Sequence, residues 1–193
     1  PVVDYGFGKD PMAGMDHSQM KGMMNMPVLG KEGDTDGSGR VFGWATGAPY
    51  GARVLSMRDL VALQPKADAA APTREIIVRL QGNMERYIWT LNGHKFGEGP
   101  PIDVRFGERV RVTFINESMM AHPMHLHGHH FQVTAIGGRP LAGAMRDTVL
   151  VPPMAEVVIA FDADNPGIWA YHCHNLYHMA AGMFTTLVYR DFT

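Results

Sequence analysis

Residues 172–183 read HCHNLYHMAAGM, and this run constrains the chain more than any other stretch. It holds Cys173, the only cysteine among 193 residues. A lone thiol forms no intramolecular disulfide, so no cross-link staples the fold. The thiol is instead flanked by two imidazoles, with His178 and Met183 downstream. Two imidazoles, a thiolate and a weak thioether make up the blue-copper electron-transfer set. The run supplies Cys173, His178 and Met183, so one imidazole must come from elsewhere.

A second cluster offers it. Residues 122–130 read HPMHLHGHH, five histidines that core packing does not explain. Pro123, Leu126 and Gly128 interrupt the run, unlike a plain solvated His tract. In a strand, alternate residues share a face. His125 and His127 then point together, as do His172 and His174, while Cys173 points the opposite way. That spacing proposes two metal sites on two sides of adjacent backbone, with His122 as the missing ligand of the Cys173 site. Zinc fits less well, because structural zinc favours paired cysteines and thioether favours copper. A nucleophilic Cys173 fits less well too, since strand neighbours point apart and spoil the activating Cys–His hydrogen bond.

The rest of the chain reads as a frame for these runs. After Thr73, β-rich segments follow one another at 74–80, 86–91, 109–116, 130–136, 147–151, 156–162, 168–173 and 184–190. Turn signals separate them, among them Asn92-Gly93, Gly137-Gly138 and Asn165-Pro166-Gly167. Short strands at this spacing imply an antiparallel β-sandwich or barrel. In 109–116, Val110, Val112, Phe114 and Asn116 should share one face, with Arg109, Arg111 and Thr113 on the other. Residues 1–72 read as an irregular Met- and Gly-rich extension and linker, with a short helix near 56–63 capped by Ser56. The sandwich domain is expected over 73–193. A net charge of −2 gives no basic surface for nucleic acid, and no apolar run is long enough to span a membrane. The chain opens on Pro1 without a signal peptide, which reads as a processed or excised form.

HPMHLHGH (122–129) together with HCHNLYHMAAGM (172–183) resembles the two C-terminal copper signatures of the multicopper oxidases. GNMERYIWTLNGHKF (82–96) and the Met/His-rich MDHSQMKGMMNM (15–26) are similar to the copper-resistance branch of that family, whose members are periplasmic. The resemblance covers about residues 73–193 well and the leading segment loosely. It implies a cupredoxin-like Greek-key β-sandwich. It also implies a type 1 copper held by His122, Cys173, His178 and Met183, a type 2 ligand in His125, and type 3 ligands in His127, His172 and His174. The implied reaction oxidises Cu(I) or a phenol at type 1 copper, and Cys173 conducts the electrons to a trinuclear cluster that reduces oxygen to water.

The family's trinuclear cluster takes eight histidines, half of them from two HxH motifs of an N-terminal cupredoxin domain. Those motifs are absent here, so this chain should supply one wall of the cluster, and an N-terminal domain or second chain should complete it. The competing reading is a free-standing blue-copper electron-transfer or copper-binding module without oxidase activity. Tyr177 stands where some relatives carry an acidic residue. His129 and His130 are expected in supporting or loop positions, and His94 on the surface. Asn116 and Asp147 are candidates for hydrogen bonds that fix ligand imidazoles. Met12, Met15, Met20, Met23, Met24 and Met26, with His17, lie among glycines and charges that make a poor core. Soft thioethers in that setting suggest capture of Cu(I).

Overall fold

The computed structural model describes residues 57–63, 71–83 and 85–192. Met57–Asp59 form a single 3-10 turn. The short helix expected near 56–63 does not extend through its described part: Val61 bridges Gly143, and Leu60 and Ala62 hydrogen-bond the backbone of Ala144 and Ala142. A β-branched residue favours this extended pairing over a marginal two-turn helix.

Residues 60–193 fall in one compact unit, whose described part carries two sheets. In chain order the strands are β1 (Arg74–Asn83), β2 (Ile88–Leu91), β3 (Ile102–Val104), β4 (Arg109–Asn116), β5 (His122–Leu126) and β6 (Phe131–Ile136). They continue as β7 (Arg139–Pro140), β8 (Met145–Arg146), β9 (Thr148–Val151), β10 (Glu156–Asp162), β11 (Ile168–Cys173) and β12 (Phe184–Tyr189). One sheet runs β2-β1-β4-β10-β6-β7, with β8 also on β6; the other runs β3-β12-β11-β5-β9. This is the all-β sandwich that the strand spacing implied.

Pairing is not wholly antiparallel, as the sequence had suggested. β1 lies parallel to β4 and β3 parallel to β12. A parallel pair needs a crossover, which hairpin-sized turns cannot supply. The chain makes one by leaving the first sheet at β3 and returning at β4.

Alternation fills the core. In β4, Val110, Val112, Phe114 and Asn116 are buried, as the pattern required. Arg109 is buried too, where its guanidinium meets Asp162 at 2.9 Å. Val157, Ile159 and Phe161 of β10 and Tyr171 and Leu187 of the other sheet complete the apolar interior. Two strands that matter most for function are central neighbours: β5 and β11 pair antiparallel, with His125 opposite His172 and Met124 opposite Cys173.

Candidate metal centre

Strand geometry separates the histidines. In β5, His122, Met124 and Leu126 turn into the core, while His125 lies on the other face. The run 122–126, which sequence reading had not separated as a strand, is thereby an edge between two environments. In β11, Cys173 turns inward and its neighbour His172 turns outward toward His125.

The inward site joins His122, Cys173 and His178, all fully buried. The Cys173 Sγ lies 3.7 Å from His122 Nδ1 and 3.8 Å from His178 Nδ1, and the two nitrogens are 3.0 Å apart. His178 reaches the site from a short helix α1 (Leu176–Ala180), N-capped by the Asn175 side chain. Met183 is also fully buried, and the chain brings it back by two backbone bonds. Its N–H donates to the His178 carbonyl at 3.0 Å, and its carbonyl accepts from the Cys173 N–H at 3.1 Å. Gly182 allows that return with φ +122°, where a Cβ would stand 2.7 Å from the Trp89 carbonyl.

Burial sets the protonation of this site. It pushes His122 down to about 3, helped by the adjacent His178, and lowers His178 as well. It pushes the Cys173 thiol up to about 11. The site thus presents neutral imidazoles and, before a metal arrives, a neutral thiol. Bonds of about 2.0–2.3 Å from imidazole nitrogen and thiolate sulfur fit between atoms spaced this way. The donor set is soft and nitrogen-rich, which suits copper.

The outward site joins His125, His127 and His172, whose ligand atoms all lie within 4.8 Å of one another. His127 Nε2 and His172 Nε2 are 3.0 Å apart. His172 Nδ1 donates to the Cys173 carbonyl at 3.0 Å, which leaves its Nε2 free to ligate. His125 Nδ1 contacts the Asp147 carbonyl at 2.9 Å and Thr148 Oγ1 at 2.8 Å, which likewise turns Nε2 outward. Burial and neighbouring imidazoles lower the pKa values of His127 and His172. His174 stands farther out and exposed, its ring 5.5 Å from that of His125 and 6.0 Å from that of His172. Phe184 lies flat on His172, with ring centroids 5.4 Å apart and planes at 6°.

Several supporting residues were invisible in the sequence. Trp89 of β2 stacks on His178 at 4.1 Å and meets His122 edge-on at 5.0 Å. Ser118 Oγ lies 2.8 Å from His122 Nε2. His129, expected in a supporting position, is buried; its Nδ1 donates to the His127 carbonyl at 3.1 Å and its Nε2 meets the Tyr189 hydroxyl at 2.6 Å. Of the candidate polar partners, Asp147 acts through its backbone carbonyl, and Asn116 bonds Ser118 rather than a ligand. His94, His130 and Tyr177 are exposed. Met12, Met15, His17, Met20, Met23, Met24 and Met26 lie outside the described residues.

Comparison with known proteins identifies the family of the chain. Residues 69–192 match the family model described as multicopper oxidase. The multicopper oxidase MmcO of Mycobacterium tuberculosis is 48% identical over 118 residues, covering 61% of this chain and 23% of that protein. Copper resistance protein A of Escherichia coli is 41% identical over 134 residues, covering 69% of this chain and 22% of that protein. This chain therefore spans less than a quarter of the length of these relatives. Among solved structures, the blue copper oxidase of Nitrosomonas europaea superposes with a TM-score of 0.61 at 26% identity, covering 67% of this chain and 48% of that one. The McoA multicopper oxidase of Aquifex aeolicus superposes at 0.55 and 30% identity, covering 64% and 30%. A match over well more than half the chain, on a sandwich that gathers the Cys and His signatures into two clusters, places this chain in the multicopper oxidase family, whose cofactor is copper.

Proposed function

We propose that this chain is the C-terminal part of a copper-dependent oxidase of copper resistance, working in the periplasm. Its reductant would be Cu(I) or a phenol, and its acceptor oxygen, reduced to water. The similarity to copper resistance protein A supports the physiological setting. His122, Cys173, His178 and Met183 would hold type 1 copper. His125 would serve type 2 copper, and His127, His172 and His174 type 3 copper.

The observation that carries this reading is the opposed facing of Cys173 and His172 on β11. The Cys173 sulfur sits among buried imidazoles, while its sequence neighbour joins the outward cluster. Bound copper would supply one-electron redox chemistry at both places. The chain contributes the path between them: from the sulfur, only the backbone of adjacent residues leads to the His172 and His174 rings. The hydrogen bond from His172 Nδ1 to the Cys173 carbonyl at 3.0 Å shortens that path further. This is the electron-conduit role for Cys173. Water is kept from the inner site by Trp89, Met183 and the sandwich core, so the thiolate, once formed, is not solvated.

Among the described residues, the outward wall gathers three tightly grouped imidazoles with His174 beside them. In this reading an N-terminal cupredoxin domain or a second chain would complete the cluster. The test is to load the purified chain with copper and to measure stoichiometry, colour and oxygen uptake together. The expected result is one blue copper without oxygen uptake by the chain alone, with uptake restored when the missing domain is supplied. A blue protein that stays inert with that domain would mark an electron-transfer module instead. A colourless protein that binds only zinc would overturn the reading.

A further inference from the structure

The buried polar groups around His122 form one directed hydrogen-bond chain. It starts at Asn116, whose Nδ2 faces three carbonyls: Met120 at 2.7 Å, Pro152 at 2.8 Å and Val151 at 3.1 Å. Carbonyls only accept, so the amide orientation is fixed and Oδ1 must point the other way. Oδ1 there accepts from the Ser118 backbone N–H at 2.9 Å and lies 2.9 Å from Ser118 Oγ. Ser118 Oγ also lies 3.2 Å from the Met120 carbonyl.

A hydroxyl has one proton. Two of its neighbours, Asn116 Oδ1 and the Met120 carbonyl, can only accept. Turning the proton toward His122 would leave lone pairs facing lone pairs at 2.9 and 3.2 Å in a buried setting, where unsatisfied polar groups are costly. The proton therefore goes to one of those oxygens, and the Ser118 oxygen accepts from His122 Nε2 at 2.8 Å. His122 then carries its proton on Nε2, and its Nδ1 lone pair faces Cys173 and His178.

We propose that Ser118, held by Asn116, is a positioning residue that locks His122 in its metal-ready tautomer. The proposal rests on reading the Cys173 site as copper-binding. A partner on the far nitrogen of a ligand imidazole raises its basicity, and loss of such a partner typically weakens metal binding about 10- to 100-fold. A more basic ligand favours the more highly charged ion, so the lock should lower the Cu(II)/Cu(I) potential.

The test uses the full chain, as wild type, Ser118→Ala and Ser118→Thr. Nitrogen-15 NMR of the metal-free protein reads each histidine tautomer, and titration with copper(I) ions reads the change. The expected result is a slowly exchanging Nε2 proton on His122 before and after copper. Ser118→Ala should speed exchange of the His122 proton, weaken copper binding about 10- to 100-fold, and raise the potential. Ser118→Thr keeps the hydroxyl and should restore all three. A His122 proton on Nδ1 in the metal-free wild type would overturn the lock, whether or not Ser118→Ala folds. So would a folded Ser118→Ala with unchanged exchange, affinity and potential. A chain with the expected tautomers that takes up no copper would support the lock and overturn the proposed function.

Discussion

The indole of Trp89 lies on the imidazole of His178, with centroids 4.1 Å apart and planes at 27°. The two residues come from different elements, β2 and α1, and neither is exposed. Tyr87, two residues earlier, meets Trp89 edge-on at 5.9 Å and has a positive φ of 49°. One buried aromatic side chain therefore packs against both imidazoles of the inner site and restricts the plane of the His178 ring.

Replacing Trp89 with Ala should lower the stability of the metal-free protein by about 3–5 kcal/mol, the usual cost of truncating a buried Trp. Phe at this position keeps an aromatic face and should cost less, while shifting the blue absorption band through the loosened His178 ring. Denaturant unfolding and visible spectra check the two statements. Equal stability of Trp89→Ala and wild type would contradict the packing role.

Copper uptake at the inner site should release one proton near neutral pH. The thiol is held neutral by burial, with its pKa pushed up to about 11, and must ionise to ligate. Burial already keeps His122 and His178 neutral, so they add no net release. Indicator-dye or pH-stat titration counts the protons. Cys173→Ser should lose both the release and the blue colour while keeping the fold.

Acid should destabilise the metal-free protein through the same burial. An unfolded His takes up a proton near 6.5, while folded His122 resists until about 3. The unfolded state binds more protons between these values, so stability is full above about pH 6.5 and falls as pH drops toward the folded value. His122 alone accounts for about 2 kcal/mol between roughly pH 6.5 and 5, and His178 acts in the same direction. Urea unfolding at a series of pH values measures the slope. A flat profile across this window would be inconsistent with buried neutral imidazoles.

Tyr189→Phe should loosen the outward wall without touching the inner site. The Tyr189 hydroxyl bonds His129 Nε2 at 2.6 Å and accepts from the Asn165 N–H at 3.3 Å, and His129 in turn holds the His127 carbonyl. Leaving buried His129 without that partner should cost about 1–3 kcal/mol. Thermal unfolding reads the cost. Histidine NMR should show a displaced His127 and an unchanged His122.

Gly182→Ala should be more harmful than an ordinary surface substitution. The backbone there sits at φ +122°, and the new Cβ would meet the Trp89 carbonyl at 2.7 Å. Strain of this kind costs about 1–3 kcal/mol. It would be transmitted to Met183 next door, so the copper spectrum should change along with the melting temperature.

Much of the site was legible because alternation is a local property. The spacing of HPMHLHGH and HCH separates inward from outward side chains wherever the runs are strands, as 122–126 and 172–173 are, while His127, His129 and His174 lie just beyond the strand ends. Local pattern also marked Val110, Val112, Phe114 and Asn116 as one face of β4. It failed where long-range pairing decides. The extended backbone of Val61 depends on Gly143, and the parallel pairs β1–β4 and β3–β12 depend on how the chain crosses between sheets.

The sequence by itself determined which atoms are offered: one thiol, its two flanking imidazoles, and the faces that strand geometry gives them. Only the tertiary structure decided how those atoms are held. Trp89 lies 89 residues from His178 in name but 4.1 Å away in space, and Ser118 and Asn116 fix one ring of His122 through bonds that no spacing rule contains. Ligand chemistry is a property of residue type, whereas ring orientation and proton position belong to neighbours that only folding brings together.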